Sequence, residues 1–296
     1  MKKKRLKTIL SKFVIYFLLV LIGFVFLYPI LYMVSYSFMD SQDLVNPFVK
    51  WIPTKLYTDN YVRACQVLDY FPTLLKTIYV NLIPAVLQTI FTSFTGYGLA
   101  RFEFRGKKLV MLLILVTFII PAQVTMIPQF LMYKDLNLIG SLYSYILPAI
   151  FSQGLKSSIF ILIFYQFFKM LPKSLEEAAQ LDGASFMVIF TKIAVPSAVP
   201  AYIVSFIFSF VWYWNETTLS ALYFGNKIKT LTLGLQNFAA TYQNVYSMSV
   251  TQGGKNLNEA ISMAGTLISI LPLLIFYFIF QRWFVQSVDK TGITGE

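Results

Sequence analysis

The sequence predicts an all-α, polytopic membrane protein with six transmembrane helices and a pair of short helices outside the bilayer. Three observations lead there. Asp, Glu, Lys and Arg make up only 12% of the 296 residues, against about 25% in soluble domains. Mean hydropathy is +0.66. The apolar residues gather into six long runs separated by polar segments, and a run of about 20 residues crosses a bilayer. The chain has one cysteine, Cys65, and no histidine. That removes a disulfide framework, the common metal sites, His-dependent triads and a His proton relay. No metal and no cofactor is expected. The net charge of +11 would suit nucleic acid, but the basic residues sit at the ends of apolar runs, where topology accounts for them.

The elements follow in order. Residues 1–12 form a basic tail carrying Lys2, Lys3, Lys4, Arg5, Lys7 and Lys12. The run that follows, residues 13–38, exceeds a signal-peptide core of about 7–15 residues and lacks a small-residue cleavage site. It reads as the first span. Residues 39–71 are a polar connection. The second span, 73–100, holds Pro84 and ends on a basic turn of Arg101, Arg105, Lys107 and Lys108. The third, 109–131, contains Pro121 and Pro128, expected as kinks. Residues 133–144 are a loop. The fourth span covers 147–168 and the fifth 197–222. A polar loop, 223–259, leads to the sixth, 260–284, and a short tail, 285–296. The membrane domain is thus 13–284. With the first tail inside, 15 basic residues lie on the cytoplasmic side and 8 on the other, so both termini are expected in the cytoplasm.

Between spans four and five lies a polar stretch, residues 170–196. Ser174 followed by Glu177 has the pattern of a capping box. Glu176 and Glu177 suit the positive end of a helix dipole. Leu175, Ala178, Ala179 and Asp182 fall at helical spacing. Gly183 permits the left-handed residue that stops a short helix, and a second amphipathic run, 186–193, precedes Pro196 and Pro200.

This stretch resembles the cytoplasmic EAA loop of ABC importer permeases. Glu177, Ala178, Ala179, Gly183, Ile193 and Pro196 meet the spacing, with Val195 where leucine is usual. Asp182-Gly183-Ala184 is similar to the form found in maltose-type, sugar-importing members. Trp212-Tyr213-Trp214-Asn215-Glu216, Leu231-Thr232-Leu233-Gly234-Leu235 and the C-terminal Gln281–Val285 and Thr291–Gly295 segments resemble the same subclass. The resemblance implies a carbohydrate permease in a bacterial or archaeal inner membrane, forming half of a translocation pathway and doing no bond chemistry itself. Its implied partners are a second related permease, two cytoplasmic ATPase subunits, an extracytoplasmic solute-binding protein and a sugar. The residues implied in ATPase coupling are Glu176, Glu177, Ala178, Ala179, Asp182, Gly183 and Ala184. The chain has no Gly-x-x-x-x-Gly-Lys-[Ser/Thr] loop, so ATP is expected on separate subunits.

Ionisable groups inside spans are costly and point to function by default. Lys156 is placed within the fourth span and Glu216 near the external end of the fifth. One reading makes both interfacial, Lys156 by snorkelling; the sharper expectation is that they face a polar substrate path, even as a pair. Asn81 and Gln88, seven residues apart, share a helix face. They suit either interhelical hydrogen bonding or sugar hydroxyls. Trp212 and Asn215 complete the substrate-path candidates. An ion-coupled transporter is disfavoured, because the acidic residues lie in loops or near span ends. An importer of a non-sugar solute is the alternative.

Overall fold

The computed structural model describes residues 2–246 and 257–293, with side chains described over 10–246 and 257–283. The described residues form helices and connecting turns. Three helices are long and apolar enough to cross a membrane unbroken, and three more candidates are bent pairs. The Thr294–Gly295 part of the C-terminal pattern lies outside the described residues.

Two compact units divide the chain. The first comprises residues 1–70 and 237–271. Helix α1, Lys2–Ser37, starts inside the basic tail rather than after it, because nothing in Lys2–Lys12 breaks a helix. The connection that follows is less irregular than its composition suggested. Asp40 caps α2, Ser41–Val45, accepting from the amides of Gln42 and Asp43 at 2.8 Å each. Buried Asp43 takes both the amide and the hydroxyl of Thr54, at 2.9 and 2.7 Å. Asn60 on α3, Asp59–Leu68, donates to the carbonyls of Ser37 and Met39 at 2.9 and 2.8 Å. The buried side chains of Asp43 and Asn60 thus find partners, as most buried polar groups do.

The second unit comprises residues 71–236 and 272–296. Helix α4, Tyr70–Arg101, is the second span, unbroken despite Pro84. The third span is broken rather than kinked. Helices α5, Lys107–Ile119, and α6, Ala122–Asp135, meet at 104°. Pro121 forces this, since a residue before proline is driven out of the helical region, and Ile120 is extended at ψ 123°. The fourth span is also corrected. Helix α7, Tyr143–Ile150, ends, six residues run irregularly, and α8, Ser157–Met170, begins. Ser152 and Lys156 hold left-handed φ values of 57° and 53° inside that break.

Helix α9, Lys173–Leu181, turns 71° from α8. The next helical stretch joins α10, Phe186–Ile189, a wide π turn over Phe190–Ala194, and α11, Val195–Ser197. It meets α12, Val199–Asn215, at 77°. The fifth span ends at Asn215, and α13, Thr218–Phe224, is separate. The expected polar loop after it carries two short helices among its described residues, α14, Leu231–Gln236, and α15, Phe238–Tyr246. Helix α16, Glu259–Ile293, carries the sixth span.

Aromatic packing holds the second unit together. Phe160, Phe164 and Phe168 recur every four residues along α8 and are fully buried, which places them on one face. Gly96 on α4 lets α8 approach: a Cβ there would lie 2.6 Å from Phe164 Cβ and 2.9 Å from the Tyr165 amide. Small residues at such crossings are how packed membrane helices come close, since lipid supplies no hydrophobic force between them.

Candidate functional site

Two places gather the candidate residues, and both lie within the second unit. The first is the joint beneath α9. Its entry differs from the expected capping box: the helix starts at Lys173, Pro172 holds the cap position, and no side chain caps it. Ser174 is therefore already inside the helix. The exit matches its sequence signal. Gly183 has φ 80°, the Gly183 amide donates to Gln180 at 3.0 Å and the Ala184 amide to Ala179 at 2.9 Å. These two bonds are the Schellman pattern, which glycine closes without steric cost.

The two glutamates separate. Glu177 and Ala178 are exposed, Ala179 is partly so, and Asp182 and Gly183 are exposed. Glu176 turns inward. Its Oε1 accepts from Arg101 Nε at 2.8 Å, and the two side chains are only 11% and 6% exposed. Arg101 Nη2 also donates to the Leu171 carbonyl at 3.0 Å. Leu171 is the C-cap residue of α8, its amide donating to the Phe168 carbonyl. One guanidinium thus joins the last turn of α4, the end of α8 and the first turn of α9. Both charges sit favourably for the helix dipoles, the cation at a C-terminus and the anion at an N-terminus. Arg101 was legible only as part of a basic turn; its partner is 75 residues away.

Beside this joint, Phe186 and Phe190 pack on Tyr97 at centroid distances of 5.4 and 5.0 Å, Phe94 stacks on Phe190 at 4.5 Å, and Phe102 lies 4.9 Å from Phe186. The α10–α11 stretch is therefore seated on the end of α4. In the exposed turn after α4, Lys107 hydrogen-bonds Glu103 at 2.8 Å and holds its carboxyl below the usual range.

The second place is the break before α8. Gln88 is fully buried, and both ends of its amide are taken. Its Nε2 donates to the Leu155 carbonyl at 2.7 Å and its Oε1 accepts from the Tyr213 hydroxyl at 2.7 Å. Irregular backbone at membrane depth survives only where its polar groups are satisfied, and Gln88 with Tyr213 does this for the break. Gly154 makes room: a Cβ there would collide with Gln88 Oε1 and lie 2.5 Å from the Tyr213 hydroxyl. Gln88 therefore shapes the break rather than offering free groups. Asn81 is 2% exposed, and its amide nitrogen finds no partner among the described residues.

Lys156 is not in a helix but caps α8 with its backbone left-handed. It does not pair with Glu216. Its Nζ lies 4.6 Å over the Trp212 ring, whereas Glu216 Oε1 accepts the Leu219 amide at 2.9 Å and so caps α13. The expected Lys–Glu pair is not formed: each group is engaged with another partner. Asn215 is exposed and donates to the Val211 carbonyl at 2.9 Å. Around the break opens a cavity of about 440 Å³, lined among others by Pro121, Gln129, Tyr145, Lys156, Ser157 and Tyr223. Sequence reasoning missed Tyr213 and Gly154 as its supports. A glycine beside Ser152 and Gln153 inside an apolar run was the available signal.

Residues 88–290 match the family described as the binding-protein-dependent transport system inner membrane component. Among relatives, the chain is 28% identical over 278 residues to the arabinooligosaccharides transport system permease protein AraQ of Halalkalibacterium halodurans, covering 93% of each. It is 29% identical over 285 residues to the probable starch degradation products transport system permease protein AmyC of Thermoanaerobacterium thermosulfurigenes, covering 95% of this chain and 97% of that one. Its fold is similar to a chain of a bacterial ABC transporter involved in the import of the acidic polysaccharide alginate. That match has a TM-score of 0.78 at 23% identity and covers 93% of this chain and 96% of the other.

Proposed function

This chain belongs to the family of binding-protein-dependent transport system inner membrane components, and from that premise we propose that it carries a sugar or oligosaccharide inward as one of two related permeases. The relatives named above transport arabino-oligosaccharides and, provisionally, starch products, which supports a carbohydrate solute. Members of this family are transport components rather than enzymes, so ATP hydrolysis falls to partner ATPases, and solute delivery to a binding protein. In this reading both termini and α9 lie in the cytoplasm.

The observation that carries the proposal is the arrangement of α9. Its Glu177–Ala178 face is exposed while Glu176 anchors it from beneath through Arg101. A helix of nine residues held by a buried ion pair and a neighbouring aromatic seat moves as one piece with α4 and α8. ATPase closure against the exposed face then tilts those spans, in the manner of rigid-body domain motion. Glu177 would accept charge-assisted hydrogen bonds from the ATPase, and Gly183 fixes the angle to the next helix. The test is solute-stimulated ATP hydrolysis and uptake by the assembled importer. Glu177→Lys and Gly183→Pro are expected to abolish both while leaving the permease in the membrane. If both variants retain stimulated hydrolysis and uptake, α9 is not the coupling element.

A further inference from the structure

We infer that α6 supplies a binding subsite for an uncharged sugar unit of the imported solute, through the Gln129 amide nitrogen, the Tyr133 hydroxyl and the Thr125 oxygen. The inference rests on the proposed transport function and deepens it, by giving this subunit a share of solute recognition.

Three observations carry it. First, α6 is a separate helix because the span breaks at Pro121, and it turns one face to the cavity of about 440 Å³. Ala122, Thr125, Gln129 and Tyr133 all line that cavity. Their spacings of three, four and four residues fall on one side of a helix. Val124, Ile127 and Leu131, on the other side, are exposed. The helix is thus polar towards the cavity and apolar away from it.

Second, two polar atoms of this face are unused. Gln129 Oε1 accepts from the Tyr223 hydroxyl at 3.2 Å, but its Nε2 has no partner among the described residues. The Tyr133 hydroxyl has none there either, although the residue is only 8% exposed. Neither atom is closed off inside the protein as the unpaired Ser157 hydroxyl is, so open space reaches both. Thr125 Oγ1 donates to the Ala122 carbonyl at 3.1 Å and keeps its lone pairs to accept. Hydrogen bonding between packed helices is the other use of such a stripe. It accounts for Gln129 Oε1 and leaves the remaining atoms over. From Thr125 to Tyr133 the stripe runs about 12 Å, at about 1.5 Å per residue. That is longer than one pyranose ring and suits a disaccharide unit.

Third, the rings and the charges favour a neutral sugar. Tyr133, Tyr145 and Tyr223 lie together on the cavity wall, with centroids 5.0 Å apart for Tyr133 and Tyr223 and 6.3 Å for Tyr145 and Tyr223. Such rings offer apolar area to the C–H faces of a sugar without adding charge. No Asp or Glu lines the cavity. The Lys156 ammonium is drawn over Trp212 at 4.6 Å, and Trp212 is not part of the wall. Glu216 is turned to the Leu219 amide. Recognition is left to amides and hydroxyls, in a cavity within the size range of small-ligand pockets, about 300–1,000 Å³.

The test is equilibrium binding of labelled sugars to the purified permease–ATPase complex in lipid nanodiscs, without the solute-binding protein, so that the affinity read belongs to the membrane site. Uptake by cells carrying the complete importer is measured alongside. The probes are arabinobiose and maltose, both neutral, and digalacturonate, an anion. At least one neutral disaccharide should bind in preference to digalacturonate. Tyr133→Phe, which breaks no hydrogen bond among the described residues, and Gln129→Leu should each weaken that binding about two- to tenfold, as loss of one net hydrogen bond predicts. Tyr133→Phe should leave the melting temperature unchanged, which separates lost recognition from lost structure. Ile127→Val, on the outward face, should leave binding unchanged. Binding unaltered in both Tyr133→Phe and Gln129→Leu, or digalacturonate bound in preference to both neutral probes, overturns the inference while the sugar-transport reading stands. So does uptake of a neutral disaccharide that the complex alone does not bind. Failure of all three probes to bind or to enter overturns both.

Discussion

The buried pair of Arg101 and Glu176 makes a quantitative prediction. Their side chains are 6% and 11% exposed and meet at 2.8 Å, with a second bond from Arg101 to Leu171 at 3.0 Å. Arg101→Met strands a carboxylate and an unpaired carbonyl. Glu176→Leu strands a guanidinium with only the Leu171 carbonyl. Breaking one side of such a pair costs about 3–5 kcal/mol. Removing both charges leaves one carbonyl without its donor, about 1–3 kcal/mol. The double variant should therefore be no worse than either single one, a coupling energy of at least about 3 kcal/mol. At about 2–4 °C per kcal/mol for chains approaching this size, each single variant should melt about 6–20 °C lower. Thermal unfolding of the purified permease, followed by tryptophan fluorescence, reads this directly. The same variants in the assembled importer report coupling. Both singles should lose solute-stimulated ATP hydrolysis, and the double should recover stability without full stimulation, because apolar contact replaces a directional joint. Strictly additive losses in melting temperature would refute the idea that the two charges form one joint.

Two further substitutions test the close approaches. Gly96→Ala places a Cβ 2.6 Å from Phe164 Cβ; overpacking costs about 1–3 kcal/mol, against about 1 kcal/mol gained in helix propensity. A lower melting temperature is expected, and a raised one would mean that α4 and α8 separate freely. Gly154→Ala displaces the Gln88–Tyr213 support of the break. It should impair uptake. Equal uptake by wild type and Gly154→Ala would show that the break needs no such support.

How much could be read without the structure depends on how local each cause is. The spans themselves were legible, because crossing a bilayer requires only a long apolar run and its flanking charges. The stop after α9 was legible for the same reason: Gly183 at φ 80° answers a purely local demand that few residues meet. The capping box was not, because Ser174 and Glu177 carry the right spacing whether the helix begins at residue 173 or two residues later. The breaks at Ile120–Pro121 and at residues 151–156 were read as kinks or as uninterrupted span. A proline or glycine in an apolar run marks a weak point, but whether the helix opens there depends on outside partners for the freed backbone.

Those partners are Gln88 and Tyr213, 67 and 58 residues from Leu155. The chain alone therefore determined the class of molecule, the runs that enter the membrane and the short glycine-jointed element between two of them. Tertiary structure alone decided that Glu176 faces Arg101 while Glu177 faces out, and that Lys156 stands at the mouth of a half-helix over Trp212. The reason is physical: length, hydropathy and backbone conformation belong to single segments, whereas the partner that satisfies a buried charge or an opened backbone is supplied by another segment.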